Sequence, residues 1–325
     1  MKPIIPFALL GALFAVGAAQ AASTTPVGYT TKALPPSQFT LVGLNVHSSV
    51  VSAGVLDAES ATSVTDNEAN FTTLLTAGST YILELADGTI QEVSAWSGSV
   101  LTTPNDITAL VTPGTTTYKL RKAATVSDIF GATNSAGLGD DNDGSLAGTD
   151  FLLIPNAGGA FDTVYYFNDG AGTQGWFDTQ GNPADTKLLS YADGFFVQRT
   201  AGSTINLVVT GEVKTVETDA VLTTGYNYVN GVAPVGLTLG TTGLQDFLAV
   251  DSTGDIATAD LVLLQQPNGT YKTTYYFNDG AGTQGWFDDQ GNPADGDAVE
   301  GGLLILNRTA AKPYSINVPT SYASL

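Results

Sequence analysis

The chain has 325 residues, a formal net charge of −20, one histidine and no cysteine. The excess of acidic groups disfavours nucleic acid and anionic lipid as partners, because both are negatively charged and would be repelled. Without cysteine there are no disulfides, thiol nucleophiles or thiolate-bound metals, so burial and hydrogen bonding must hold the fold together.

An export signal is predicted at the start of the chain. Lys2 supplies a positive charge, residues 4–18 form an apolar stretch, and residues 19–21 (AQA) fit the small-x-small pattern that signal peptidase accepts. The apolar stretch is shorter than the roughly 20 residues of a membrane-spanning helix. We therefore expect cleavage before Ala22, no membrane span, and a protein that is extracellular or at the cell surface, with the periplasm as the other compartment.

The rest of the sequence has the composition and periodicity of β-structure. Only 13% of the residues are charged, which leaves few ion pairs to support long amphipathic helices. Two alternating runs, 81–85 and 89–93, flank an Asp-Gly dipeptide, which is typical of a tight hairpin turn. Helical spacing of apolar residues is limited to short segments at 126–130 and 244–250. The sequence therefore predicts an all-β fold with few short helices.

The strongest feature of the sequence is an internal repeat. Residues 165–185 and 275–295 agree at 20 of 21 positions, and the single difference is Thr179 in the first copy against Asp289 in the second. The similarity continues downstream, where 196–200 matches 305–309 if one residue is deleted from the second copy. This duplication predicts tandem β domains of the sandwich-like or barrel-like kind.

These patterns divide the chain into four segments. We expect a signal peptide at 1–21, an N-terminal β region at 22–122, a first β repeat at 123–212, and a second β repeat with its lead-in strands at 213–325. A weaker likeness between the segments that begin at Leu34 and Leu222 is too slight to move the first boundary. Whether the two repeats form separate domains or pair into one sandwich stays open.

Each copy of the repeat predicts an aromatic hairpin. In the first copy 165–167 forms one strand, a glycine-rich turn follows, and 176–178 forms the returning strand. In the structural interpretation, which we favour, the aromatic side chains pack in the core or across strands. In the functional interpretation, a Trp or Tyr ring stacks on a sugar while amides and carboxylates accept hydrogen bonds from its hydroxyls. The candidate ligand-binding residues are Tyr166, Asn168, Asp169, Trp176, Asp178, Tyr276, Asn278, Asp279, Trp286 and Asp288.

An acidic loop precedes the first hairpin. If Gly144 is position 6 of a calcium loop, Asp141, Asp143 and Asp150 fall at positions 3, 5 and 12, where oxygen ligands are required. Position 1 is then Gly139, which has no ligand side chain. We keep the three aspartates as candidate calcium ligands, and a solvated acidic loop is the favoured alternative. No other cofactor is predicted.

Catalysis has few candidate residues in this chain. A Ser-His-Asp triad could use only His47, and no Gly-x-Ser-x-Gly motif occurs. His47 is otherwise expected to be an ordinary polar loop residue. A glycosidase needs only two carboxylates, so that activity stays open. Because a motif present twice suits binding or assembly better than a single reaction centre, we expect a protein that is not an enzyme.

Several short motifs of the mature chain occur together in a known group of proteins. They include the hairpin at 88–93, Ile-Phe-Gly at 129–131, Asp-Phe-Leu-Leu at 150–153, Gly-Trp-Phe-Asp at 175–178 and Gln-Arg-Thr at 198–200. In this combination the chain resembles an uncharacterised family of secreted proteins from Verrucomicrobia-like bacteria. The resemblance implies export and β architecture, and it implies no activity.

The sequence as a whole predicts a secreted, non-catalytic structural or adhesive protein. Its expected partners are other copies of itself or an extracellular glycan. The alternative is a carbohydrate-binding protein that uses the paired aromatic hairpins. Solvent exposure of Trp176 and Trp286 separates the two, since a ring must be open to stack on a sugar.

Overall fold

The computed structural model describes residues 26–156, 159–231, 233–299 and 301–324, so the predicted export signal lies outside the described residues. The described chain consists mainly of β-strands, which confirms the predicted all-β fold with few short helices. The predicted helix at 126–130 is present, and the one expected at 244–250 is reduced to a single 3-10 turn. None of the helices in these ranges is long and apolar enough to cross a membrane.

The elements fall in three groups along the chain. The first group is β1 (Val27–Leu34), β2 (Gln38–Val42), β3 (Val50–Val55), β4 (Ala58–Ser60), β5 (Ser63–Thr65), α1 (Phe71–Leu74), β6 (Tyr81–Leu85), β7 (Ile90–Val93), β8 (Ala95–Ser97), β9 (Val100–Thr102) and β10 (Thr117–Lys122). The second is α2 (Val126–Phe130), β11 (Phe151–Pro155), β12 (Phe161–Asn168), β13 (Gln174–Asp178), β14 (Phe195–Arg199) and β15 (Ile205–Glu212). The third is β16 (Thr218–Leu222), β17 (Gly225–Asn230), 3-10 turns at Leu239–Thr241 and Leu244–Asp246, β18 (Leu261–Gln265), β19 (Tyr271–Asn278), β20 (Gln284–Asp288), β21 (Gly302–Asn307), β22 (Lys312–Ile316) and a 3-10 turn at Thr320–Ser324.

The first two strands of the chain pair with strands of the first repeat. β2 completes a five-stranded sheet in the order β13-β12-β11-β14-β2, and β1 pairs with β15 over eight residues. Leu34, Val42 and Leu44 share one buried core with Trp176. Strand pairing therefore crosses residue 122 and divides the 22–122 region. We call residues 26–49 and 123–213 the first unit.

The second repeat builds the same arrangement from one continuous segment. Its five-stranded sheet has the order β20-β19-β18-β21-β17, and β16 pairs with β22 as β1 pairs with β15. Its core surrounds Trp286 in the way that the first core surrounds Trp176. We call residues 214–322 the second unit. The weak likeness between the segments at Leu34 and Leu222 thus lies in strands that have corresponding places in the two units.

Residues 50–122 form a separate piece, which we call the inserted unit. Two four-stranded sheets, β3-β10-β6-β7 and β4-β5-β9-β8, contribute to one core. Leu83, Leu101 and Leu120 in that core are fully buried. The predicted hairpin between β6 and β7 is present, with Tyr81 opposite Val93. Because its core residues all come from this segment, the inserted unit interrupts the first unit without contributing to that unit's core.

Strand register corrects the downstream alignment of the two repeats. Leu152 pairs with Val197 in the first unit, and its counterpart Val262 pairs with Ile305 in the second. Ile305 therefore corresponds to Val197, whereas the predicted alignment matches Ile305 with Phe196. The predicted one-residue deletion is wrong, because the second copy is shorter by one further residue in this stretch. The two arginines that the predicted alignment matches are therefore not equivalent: Arg199 is buried, whereas Arg308 is exposed.

The two units are joined by hydrogen bonds at the edges of their five-stranded sheets. Gly194 N donates to Tyr228 O at 2.8 Å, and Asn230 N donates to Ala192 O at 2.7 Å. The Gln265 side chain accepts from Leu41 N at 2.8 Å. These bonds satisfy backbone groups that an isolated edge strand would leave exposed. The units keep separate sheets, and the outer faces of those sheets come together beside this seam.

Candidate functional site

The aromatic hairpins form as predicted, but their tryptophans face inward. β12 pairs with β13 and β19 with β20 in the same register, which places Tyr166 opposite Trp176 and Tyr276 opposite Trp286. Both tryptophans have a relative exposure of 0%. Trp176 packs against Tyr166 with ring centroids 5.2 Å apart, and Trp286 packs against Tyr276 at 5.6 Å. Neither indole presents a face to solvent on which a sugar could stack.

The polar residues of the predicted hairpin site hold the turns. Asp169 accepts hydrogen bonds from the backbone N–H groups of Ala171, Gly172 and Thr173 at 2.7–3.0 Å. These bonds lower the pKa of Asp169 below its usual value. Asn168 accepts from Gly170 N. In the second unit Asp279 and Asn278 close the corresponding turn in the same way: Asn278 accepts from Gly280 N, and Asp279 accepts from Ala281 N and Thr283 N.

The second carboxylate of each hairpin closes the turn that follows it. Asp178 accepts from Gln180 N at 2.9 Å and from Asn182 N at 2.8 Å, and Asp288 makes the equivalent bonds to Gln290 N and Asn292 N. Hydrogen bonds from the following asparagine lower the pKa of both aspartates. The ten predicted ligand-binding residues therefore lie close together as five in each hairpin. The side-chain oxygens of their asparagines and aspartates already accept hydrogen bonds from the turns.

The three candidate calcium ligands do not form one group, although the side chains of Asp141 and Asp143 interact. Asp150 is buried and pairs with Arg199, whose Nε lies 2.5 Å from Asp150 Oδ2. Asp150 also accepts from Gly139 N and Thr200 N. Asp143 is exposed in the loop, where it caps Ser145 N. In the described part of the chain, no group of three or more acidic or histidine side chains is placed to hold a metal ion.

The pairing of Asp150 has a counterpart in the second unit. Asp260 accepts from Ala249 N and Arg308 N at 2.7 Å each, as Asp150 does from Gly139 N and Thr200 N. Its cation is Lys312 of β22. This aspartate therefore ties a loop to the end of a central strand in both units, which is a structural role.

A buried charged cluster lies where the inserted unit meets the other two. Arg121 on β10 forms ion pairs with Glu84 on β6 and with Glu212 on β15, and Lys214 lies 3.5 Å from the other oxygen of Glu84. All four side chains are at most 9% exposed. Two carboxylates balance two cations, so the cluster carries no net charge that would attract an ionic ligand.

His47 and Tyr191 border this cluster. Their rings stack with centroids 4.0 Å apart, and Tyr191 Oη lies 3.4 Å from Glu84 Oε2. Burial, with Arg121 and Lys214 nearby, lowers the pKa of His47 well below 6.5, and burial raises the pKa of Tyr191 well above its usual value. Burial also lowers the pKa of Lys214 to about 8. The expectation of an ordinary loop histidine is wrong, because the ring is buried and stacks on Tyr191.

A cleft of about 940 Å³ lies between the inserted unit and the first unit. Four carboxylates line it, namely Glu92, Asp162, Asp178 and Asp193. Asp162 is paired with Lys187, and Asp178 is held by its turn. Burial raises the pKa of Asp193. The cleft is therefore where a carboxylate-based reaction would have to occur, and two of its four acids already have structural partners.

A second open region, of about 630 Å³, lies where the outer faces of the two five-stranded sheets meet. We call it the aromatic groove. Its lining residues are Gln38, Phe39, Leu153, Phe161, Phe196, Tyr226, Tyr228, Leu263, Gln265, Asn268, Gly269, Thr270, Tyr271 and Leu304. Six of the fourteen are aromatic, and none is charged. The groove is thus a neutral surface on a strongly acidic protein.

The groove is built from corresponding positions of the two units. Strand register makes Leu153 the counterpart of Leu263 and Phe196 the counterpart of Leu304, because each pair lies opposite in its own sheet. Phe39 corresponds to Tyr226 by the same reasoning. Phe39 pairs with Gln198 and Tyr226 pairs with Leu306, and these two partners occupy corresponding positions on β14 and β21.

The same correspondence holds further along the sheets, where Phe161 corresponds to Tyr271. The first unit thus contributes phenylalanine at two positions where the second contributes tyrosine. Among the lining residues, those of the first unit carry no hydroxyl group, whereas those of the second unit carry three tyrosine hydroxyls.

Sequence reasoning did not identify this groove. Tyr226 and Tyr228 lie at alternate positions of β17, and the period-two pattern does predict that they share a face. The pattern does not say that two sheets meet there, which requires the contacts between units.

Comparisons with known proteins found no family model that matches the chain and no similar protein among curated proteins or solved structures. The resemblance to secreted proteins of Verrucomicrobia-like bacteria therefore stays a prediction.

Proposed function

We propose that the mature chain is a secreted, non-catalytic protein with a structural or adhesive role outside the cell or on its surface. The observation that carries this proposal is the aromatic groove, an open surface that both units build together from uncharged residues. Contiguous exposed apolar surface of this kind marks interaction sites in soluble proteins. Adhesion to other copies of the chain or to an extracellular glycan uses such a surface directly.

The use of the repeated motif supports the same proposal. The two tryptophans and the four turn aspartates serve the fold in both units, so the duplication supplies two building blocks and not two reaction centres. The buried charged cluster then fixes the inserted unit to the other two. Three β units joined in this way suit a protein that bears contacts with surfaces or neighbours.

Carbohydrate binding by the paired hairpins has less support. It requires open faces on Trp176 and Trp286, and both rings are enclosed. Glycoside hydrolysis would depend on Glu92 and Asp193 in the large cleft, since Asp162 and Asp178 are engaged.

Expression of residues 1–325 in a bacterial host tests the proposal. We expect a product that starts at Ala22, as read by mass spectrometry, and is recovered from the medium, the periplasm or the cell surface. We also expect the purified product to self-associate in light scattering or to be retained on washed cells, and to release no reducing sugar from polysaccharides. A cytosolic product that keeps Met1 would contradict export. Sugar release that disappears in Asp193→Asn or Glu92→Gln would contradict a non-catalytic role.

A further inference from the structure

Large aromatic side chains are exposed to solvent at the margin of the aromatic groove. Phe39 is 46% exposed and Tyr226 is 57% exposed, although both lie on well-paired strands. Between them the rings of Phe161, Phe196 and Tyr228 contact one another, with centroids 5.0–6.0 Å apart. These contacts hold the floor of the groove in place, so the exposed rings at its margin belong to a preformed surface.

The charge of the groove selects against ionic ligands. The whole chain has a formal charge of −20, and anionic ligands are repelled by it. Cationic ligands would be attracted, but none of the fourteen lining residues is a carboxylate that could pair with them. The ligand that fits this electrostatic setting is uncharged.

The hydroxyl groups of the groove select against a purely apolar ligand. The side-chain hydroxyls of Tyr226, Tyr228 and Tyr271 make no hydrogen bond to the described residues, and all three residues line the groove. Burial raises the pKa of Tyr228 and Tyr271, so both stay protonated and can donate. A hydrocarbon ligand would cover these hydroxyls without satisfying them, which is unfavourable because each would lose its hydrogen bonds to water.

Sugar rings combine the two properties that the walls present. A pyranose has an apolar face for an aromatic ring and a rim of hydroxyls for polar partners. The phenylalanine wall of the first unit offers the first kind of contact, and the tyrosine wall of the second unit offers both. The volume of about 630 Å³ lies within the range of small-molecule sites, and the open form admits a chain that continues beyond the groove.

We propose that the aromatic groove binds a segment of an uncharged polysaccharide, with sugar rings on Phe39 and Tyr226 and sugar hydroxyls bonded to Tyr228 and Tyr271. This inference rests on the proposed adhesive function and names its ligand class. The proposed glycan site lies at the junction between the units and does not involve the hairpin tryptophans. Both units are required, because each supplies one wall.

Affinity electrophoresis of the mature chain in native gels tests the inference. The gels contain dextran, hydroxyethylcellulose or galactomannan as neutral polymers, and alginate as a charged one. We expect retardation in at least one neutral gel and none in alginate. Phe39→Ala and Tyr226→Ala should each weaken the retardation at least tenfold, and Tyr271→Phe, which removes only a hydroxyl, at least threefold. Circular dichroism should show that the variants stay folded, as expected for exposed positions.

Tyr29→Ala is the matched control. Tyr29 is 71% exposed on β1 and does not line the groove, so its loss removes the same kind of side chain without changing the proposed site. The inference is overturned if no neutral gel retards the protein, if alginate retards it equally, or if the groove variants behave like Tyr29→Ala.

Light scattering on the same samples separates this inference from the proposed function. Self-association or cell retention that persists without retardation in the gels refutes the saccharide site and leaves the adhesive role intact. Loss of self-association in Phe39→Ala and Tyr226→Ala, without any saccharide retention in the parent chain, identifies the groove as a contact between copies and refutes the saccharide ligand.

Discussion

The duplication supplies a matched experiment on a single hydrogen bond. Trp176 and Trp286 lie in hairpins of almost identical sequence, and both are fully buried. Trp176 Nε1 donates to Gly131 O at 2.8 Å, whereas Trp286 Nε1 has no hydrogen-bond partner among the described residues. The difference comes from the segment above the ring, which is α2 in the first unit and a 3-10 turn, Leu239–Thr241, in the second.

We expect Trp176→Phe to destabilise the protein more than Trp286→Phe. Both changes remove the same volume from a core, so that cost is common to the two. The first also loses a hydrogen bond, which contributes about 0.5–1.5 kcal/mol, and the second removes a buried donor whose desolvation costs about 1–3 kcal/mol. The two variants should therefore differ by about 1.5–4.5 kcal/mol in free energy of unfolding.

Urea unfolding followed by far-UV circular dichroism measures this difference. If the two units unfold in separate transitions, each variant is compared with the transition of its own unit. The identical hairpins serve as the control for strand propensity and turn geometry. Equal destabilisation, or a larger effect for Trp286→Phe, would refute the assignment of the hydrogen bond as the distinguishing interaction.

Three further predictions follow from buried and exposed charges. The pKa of His47 is lowered in the fold, so the unfolded chain binds more protons below pH 6.5 and stability falls as the pH drops below that value. His47→Phe keeps an aromatic ring on Tyr191 but cannot bind a proton, so it should reduce this loss of stability. The reduction should be at most about 1.4 kcal/mol per pH unit between pH 6.5 and 5, measured by urea titration at each pH. Asp150→Asn leaves Arg199 buried without its counter-charge and should cost about 3–5 kcal/mol of stability, whereas Asp162→Asn breaks an ion pair that is more than one-third exposed and should cost less than about 1 kcal/mol by the same assay. Because Asp150 is engaged by Arg199, calcium and a chelator should give melting temperatures that agree within about 1 °C, and a rise with calcium that is lost in Asp141→Asn would show that the acidic loop binds the ion after all.

Local patterns predicted local structure well. The Asp-Gly turn between β6 and β7, α2, and the aromatic hairpins all form where alternation, spacing and turn residues place them. In each case the interactions that decide the structure lie within about a dozen residues, such as Asp169 binding the N–H groups of its own turn. Such interactions are encoded by neighbouring residue types and need no knowledge of the rest of the fold.

Long-range pairing was not predictable from those patterns. β1 pairs with β15 across more than 160 residues, and nothing in the alternation of either strand names its partner. The apparent match of Arg199 with Arg308 likewise came from residue identity, while the register is set by the hydrogen bonds of β11 and β18. The groove depends on both of these facts, so its residues could be assigned to sheet faces but not to one surface.

The two units show which parts of the motif the fold requires and which it leaves free. The turn aspartate accepts hydrogen bonds from backbone N–H groups of its own turn in both units, so Asp169 and Asp279 recur with glycine after them. Nothing in the structure explains the identity of Gln174 and Gln284 beyond weak contacts at 3.5 Å. On the outer faces the units differ in chemistry, and at two corresponding positions the first unit has phenylalanine where the second has tyrosine. That difference does not affect the cores, since the side chains point away from them. A surface with phenylalanine rings on one wall and tyrosine hydroxyls on the other is therefore a property of the pair of units, and neither copy of the repeat carries it alone.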